Sequence, residues 1–125
     1  LTRLPWGNLG MTICYDLRFP LLYKKLAKKG AHFFSIPAAF TYTTGISHWE
    51  SLLRARAIEN GCFVFAPAQC GHHDNGRRTF GNSMIIDPWG KVLRRAKNSI
   101  GSILCDIDLE KVDVYRKRIP AMTKY

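Results

Sequence analysis

The sequence has no apolar run long enough to cross a membrane as a helix and no signal-peptide pattern. No membrane partner is therefore expected. Acidic residues are scarce: 9 Asp and Glu stand against 19 Lys and Arg, for a formal charge of +10. That imbalance raises nucleic acid, a membrane surface or an acidic substrate as a partner. The cations are scattered, however, with Lys24, Lys25, Lys28 and Lys29 on one segment, Arg77 and Arg78 on another, and Arg94, Arg95 and Lys97 on a third. No aromatic-interleaved nucleic-acid motif accompanies them, so solvated faces are expected and a nucleic-acid partner is not. Cysteine is sparse too. Cys14, Cys62, Cys70 and Cys105 form no C-x-x-C pair, which argues against a zinc site. They do not make a dense disulfide framework either, and reduced thiols in the cytoplasm or an organellar matrix fit better. There is no internal repeat and no low-complexity stretch, and 125 residues allow one domain at most. The chain does not begin with methionine, and residues 1–8 read as part of a hairpin. An incomplete chain is the expectation.

What is present is an alternation of strands and helices. Leu9 to Ile13 reads as a short strand. Pro20 to Lys29 reads as a helix with Leu22, Tyr23, Leu26 and Ala27 on one side, closed by Gly30. His32 to Ile36 is a buried strand, His48 to Asn60 a second helix stopped by Gly61, and Cys62 to Ala66 a strand apolar on both faces. Strands joined this way are parallel with right-handed crossovers. After them, Asn82 to Asp87, the turn "DPWGK" and Val92 to Arg95 predict an antiparallel hairpin. Ser102 to Asp108 alternates cleanly, predicting a strand with Cys105 in the core. Asp108 then caps a helix from Leu109 to Arg118.

Parallel strands bring their C-terminal ends to one edge, where open α/β sheets hold their sites. That edge gathers Cys14, the loop from Ala38 to Gly45 and the loop from Ala68 to Thr79. A thiol at a strand-to-helix handover is a candidate nucleophile rather than a core residue. Both crossover helices fall on one sheet face, so the other face needs a second layer. The hairpin and the last strand are expected to supply part of it. On the second helix Trp49, Leu52, Leu53 and Ala57 share a sector with or beside Arg56 and Glu59. A charge on an apolar face has to be paired, so Arg56–Glu59 is expected to be a structural pair near the site or a subunit interface. Asp16 and Arg18 are expected to form an ion pair that fixes the turn after Cys14, with substrate binding as the alternative. Phe40, Thr41 and Tyr42 are candidate pocket walls. A Cys–His–Asp triad through His72 or His73 with Asp74 is weaker, because adjacent histidines in a polar loop are more often solvated. Metal binding by Cys70, His72 and His73 has unsuitable spacing.

The stretch "GMTICYDLRFP" resembles the nucleophile region of the nitrilase, or carbon–nitrogen hydrolase, superfamily. "PAAFTYTTGISHWESLLRARAIENGCFVFAPAQCG", "FGNSMIIDPWGKVL" and "DIDLEKVDVYRKRIP" continue the resemblance in order over essentially the whole chain. "FTYTTG" with "HWE" and "RARAIEN" points to the branch that includes the deaminated glutathione amidases. The resemblance implies an α/β fold, part of an α-β-β-α sandwich whose N-terminal portion is missing. Residues 1–125 would be the C-terminal part of a single domain. It implies a Glu, Lys, Cys catalytic set with Cys14 as the cysteine, the Tyr15 N–H as an oxyanion donor, and the Glu and Lys upstream of Leu1. It further implies a small-molecule amide substrate, a homodimer, and no cofactor or metal. Two positions depart from the pattern, Leu21 where a glutamate is frequent and Asn82 where a histidine is common. The implied reaction is hydrolysis of a non-peptide C–N bond through a Cys14 thioester, on a small ω-amide such as deaminated glutathione. The alternative is a truncated, non-catalytic homologue acting in binding or dimerisation.

Overall fold

A computed structural model describes residues 1–123. Strands β1 (Thr2–Leu4) and β2 (Gly7–Met11) form an antiparallel hairpin, as residues 1–8 suggest. A single 3-10 turn, Cys14–Arg18, links β2 to helix α1 (Pro20–Lys28). Pro20 sits in the first turn, where its missing N–H costs nothing. Strand β3 (Phe33–Ser35) pairs parallel with β2, and β4 (Phe63–Ala66) parallel with β3. The expected β-α-β-α-β core is therefore present.

The second helix begins earlier than its sequence pattern suggests. Tyr42–Thr44 (α2) runs without a break through a π-helical turn, Gly45–Trp49, into α3 (Glu50–Asn60). His48 thus lies within the helix and not at its start. Gly45 is required by close approach: a Cβ there would sit 2.3 Å from the Phe80 Cβ. Gly61, at φ +55, ends α3 in the left-handed conformation that glycine adopts without a Cβ penalty.

Strand β7 (Met84–Ile86) pairs antiparallel with β4, and β8 (Val92–Arg95) antiparallel with β7. The sheet order is β1-β2-β3-β4-β7-β8. The hairpin therefore extends the existing sheet instead of forming a second layer, because the free edge of β4 offers a continuous row of hydrogen-bonding partners. A hairpin missed by sequence reading, β5 (Cys70–His72) with β6 (Arg78–Phe80), stands where a loop is expected.

On one face α1 and α3 cover Phe34, Ile36, Val64, Met84 and Ile86 with Tyr23, Ala27, Trp49, Leu53 and Ala57. The other face carries Phe33 and Phe63. Val112 of α4 (Glu110–Arg118) closes over them, helped by Ile107 and Leu109. The N-cap of α4 is Leu109 and not Asp108 as expected; the Asp108 carboxylate, one residue earlier, accepts the Glu110 N–H at 3.0 Å.

Ser102 to Asp108 is not a strand. Ile103, Cys105 and Ile107 are half-buried while Leu104, Asp106 and Asp108 are exposed, so the alternation is real. It selects an extended chain, but a strand also needs a neighbour to satisfy its backbone groups, and among the described residues none pairs with it. Cys105 is consequently half-buried rather than core, its Sγ turned to the Asp106 carbonyl at 3.2 Å.

Candidate active site

Cys14 follows the C-terminal end of β2, the strand between β1 and β3. The backbone there stays tied to the chain beyond β3. Thr12 donates its N–H (3.1 Å) and its hydroxyl (3.0 Å) to the Ser35 carbonyl, and the Cys14 N–H donates to the Pro37 carbonyl at 2.8 Å. The chain then reverses sharply, and Cys14 is held at φ +44. A residue with a Cβ in that region costs roughly 1–3 kcal/mol and persists only where its surroundings impose it.

The surroundings are explicit. The Asp16 carboxylate accepts the Ile13 N–H at 2.9 Å, and the Asp16 N–H donates to the Ile13 carbonyl at 2.9 Å. This reciprocal clasp spans Cys14 and Tyr15. From below, Arg56 donates Nε (3.0 Å) and Nη2 (2.8 Å) to the Leu17 carbonyl. Arg56 is 4% exposed, and its Nη1 meets Glu59 at 3.1 Å. The expected Arg56–Glu59 pair is formed, and it grips the turn that carries Cys14.

Asp16 and Arg18 do not pair with each other, which corrects that expectation. The Asp16 carboxylate is taken by the backbone. Arg18 donates from Nη1 to His48 Nδ1 at 3.3 Å and lies over the rings of Phe40 (5.1 Å) and Tyr15 (5.7 Å). A guanidinium only donates, so Nδ1 of His48 is the unprotonated nitrogen in this contact.

Two clefts open at Cys14. The larger, about 530 Å³, has Pro37, Ala38, Pro67, Ala68, Gln69 and Ser83 in its walls. The smaller, about 230 Å³, is walled by Tyr15, Arg18, Ala39, Phe40, Thr41, Thr44 and Arg77. Phe40 and Thr41 are thus beside Cys14. Tyr42 is not in either wall; it packs on Phe80 at 6.0 Å, with the Arg78 guanidinium 3.4 Å over its ring. Neither histidine of the alternative triad lines these clefts, and His73 Nε2 is 2.8 Å from the Thr79 hydroxyl. Among the described residues no carboxylate and no lysine lines either cleft. Among the described residues no group of three or more His, Cys, Asp or Glu could hold a metal ion, and no helix is long and apolar enough to cross a membrane.

The carbon-nitrogen hydrolase family model matches residues 1–117. The chain belongs to that family. A deaminated glutathione amidase from Synechocystis sp. is 49% identical over 117 residues, covering 94% of this chain and 43% of the relative. The crystal structure of the C. elegans NitFhit protein superposes with a TM-score of 0.93 at 47% identity, over 97% of this chain and 29% of that one. An amidase from Nesterenkonia sp. AN1, a glutamate-to-glutamine mutant showing Michael addition of acrylamide at its active site cysteine, superposes at 0.77. It is 26% identical over 95% of this chain and 46% of its own. This carbon-nitrogen hydrolase chain therefore spans less than half the length of these relatives. The coverages do not bear out the expectation of a C-terminal half in particular. The α/β class and the partial domain are as the resemblance implies.

The thiols of this carbon-nitrogen hydrolase chain differ in kind. Cys62 is fully buried, and burial pushes its thiol up to about 11 against the pull of Arg116, whose Nη2 lies 3.0 Å from the sulfur. Because the folded state holds that proton more tightly, its contribution to stability is present at neutral pH and is lost as pH rises toward 11. Cys14 is half-buried and opens on both clefts. Brief treatment of the folded protein with iodoacetamide near neutral pH is expected to modify Cys14 and spare Cys62, read by peptide mass spectrometry. Labelling of Cys62 at the rate of Cys14 would contradict this placement.

Proposed function

We propose that the whole protein is a thiol hydrolase of non-peptide C–N bonds with Cys14 as nucleophile. The observation that carries this is the left-handed backbone of Cys14 beyond the C-terminal end of β2, beside the parallel strands of a mixed sheet, clasped from both sides and open to two clefts. A thiol attacks as the thiolate, so a base takes its proton. The Cys14 sulfur adds to the amide carbonyl carbon, and the oxyanion is received by the Tyr15 N–H and an ammonium group. The C–N bond then breaks and the nitrogen leaves as amine or ammonia with a proton. Water cleaves the thioester, returning the thiol and releasing the acid. Among the described residues no carboxylate or lysine lines either cleft, so in this reading other residues of the whole protein supply the base and the ammonium, and residues 1–123 alone do not turn over. The substrate is a small ω-amide such as deaminated glutathione, in keeping with the names of the relatives. The working unit is a homodimer in the cytoplasm.

The test is intact mass spectrometry of the whole protein after incubation with deaminated glutathione and acid quenching. An acyl adduct mapping to Cys14, with product acid in solution, is the expected result. Folded protein with neither adduct nor product would favour the non-catalytic reading.

A further inference from the structure

The smaller cleft has a charge pattern that the hydrolytic chemistry does not require. Its charged side chains are two arginines, Arg18 and Arg77, and among the described residues no carboxylate lines it. Arg18 is occupied by His48, Tyr15 and Phe40. Arg77 is not. It follows the turn of the β5–β6 hairpin, where the His73 N–H donates to the Arg77 carbonyl at 2.8 Å. The Gly76 N–H donates to the His73 carbonyl at 2.9 Å, and the Arg77 N–H to the Asn75 side-chain oxygen at 3.0 Å. The turn is therefore pinned, and its side chain is sent across to the loop after β3. There Nη2 donates to the Ala39 carbonyl at 3.0 Å, a contact between residues 38 apart in sequence.

That one bond fixes the direction of the guanidinium and leaves most of its five N–H donors unspent. Among the described residues no carboxylate forms an ion pair with it. Its neighbour Arg78 is different, being stacked on Tyr42 outside the cleft. A guanidinium steered to a cleft wall, half-fixed and unpaired, suits a planar anion that accepts two parallel hydrogen bonds. We propose that Arg77 is a specificity-determining residue that binds a carboxylate at the end of the substrate remote from the scissile amide. The substrate class is then a small amide that is also a carboxylic acid. This rests on the assignment of Cys14 as the amidase nucleophile, and it adds the chemistry at the other end of the substrate.

The experiment compares glutaramate, an amide with a remote carboxylate, with its methyl ester, using the whole protein and the variants Arg77→Gln and Arg77→Lys. The wild type is expected to prefer glutaramate. Arg77→Gln should collapse the ratio of the two kcat/KM values by about 10- to 100-fold, mainly through KM, as loss of a charge-assisted pair implies. Arg77→Lys should restore part of the ratio, since it returns the charge without the fork. A parallel fall on both amides, leaving the ratio intact, would overturn the proposal, as would a wild type without preference. A second measurement does not need turnover. Glutarate should protect Cys14 from iodoacetamide in the wild type and lose that protection at least tenfold in Arg77→Gln. Arg77-dependent protection without turnover would sink the amidase reading and leave Arg77 only as a carboxylate-binding residue beside Cys14. Turnover with protection independent of Arg77 would do the reverse.

Discussion

Replacing Cys14 with alanine in the whole protein is expected to leave it folded and to reduce turnover by roughly 10⁴-fold or more, the scale seen when a covalent nucleophile is removed. Cys14→Gly should be equally inactive and yet more stable than Cys14→Ala. The reason is the backbone at φ +44. Alanine keeps the Cβ and therefore the left-handed cost, roughly 1–2 kcal/mol. Glycine removes that cost and gives back about 0.5–1 kcal/mol through its freer unfolded chain. A difference of about 0.5–1 kcal/mol in favour of glycine remains, measurable by urea melts of the two variants. Glycine less stable than alanine would mean that the turn is not strained. Such strain is stored at the one position where the proposed chemistry needs a thiol pushed out of the sheet, and stability is given up there for exposure of the sulfur.

How far this site could be read from sequence depends on the range of the interactions involved. Cys14 was legible because the handover from an apolar strand to a proline-started helix is local. Its positive φ was not, since the left-handed turn is imposed by the Pro37 carbonyl and the Asp16 clasp together. The β5–β6 hairpin carried a local signal that went unused: Asn75-Gly76 is a common tight-turn pair. With that hairpin unread, Arg77 and Arg78 looked like one solvated pair, whereas one stacks on Tyr42 and the other reaches the cleft. Ser102 to Asp108 failed for the opposite reason. Its alternation was correctly read, but strand pairing depends on a neighbour that no local pattern encodes. Asn82 shows the same limit. Its φ of +60 suits asparagine, and its carbonyl accepts the Trp49 indole N–H at 2.9 Å, a fit invisible until the π-helical turn and the chain before β7 are placed together.

Arg56 links the core to the turn that carries Cys14, the proposed nucleophile, so its removal should cost both stability and rate. Arg56→Ala deletes two hydrogen bonds to the carbonyl of fully buried Leu17 and the guanidinium face 5.6 Å from the Tyr23 ring. Loss of a buried charged donor to a carbonyl is expected to cost about 3 kcal/mol. Glu59 contributes far less. Its side chain is 47% exposed, so solvent screens the pair, and Glu59→Gln should cost about 0.5 kcal/mol or less. Arg56→Lys should recover about 1 kcal/mol, because a single ammonium cannot reproduce the fork on Leu17. Turnover should follow geometry rather than stability alone. Measured where all variants remain folded, Arg56→Ala is expected to lower kcat by about 10- to 100-fold, as a shift of the turn moves the Cys14 sulfur from its line of attack. Urea melts and kcat on the whole protein separate the two effects. Equal destabilisation by Glu59→Gln and Arg56→Ala would show that the ion pair, and not the grip on Leu17, holds the turn. An Arg56→Ala variant that is destabilised but turns over normally would leave Arg56 a core residue with no part in placing the thiol.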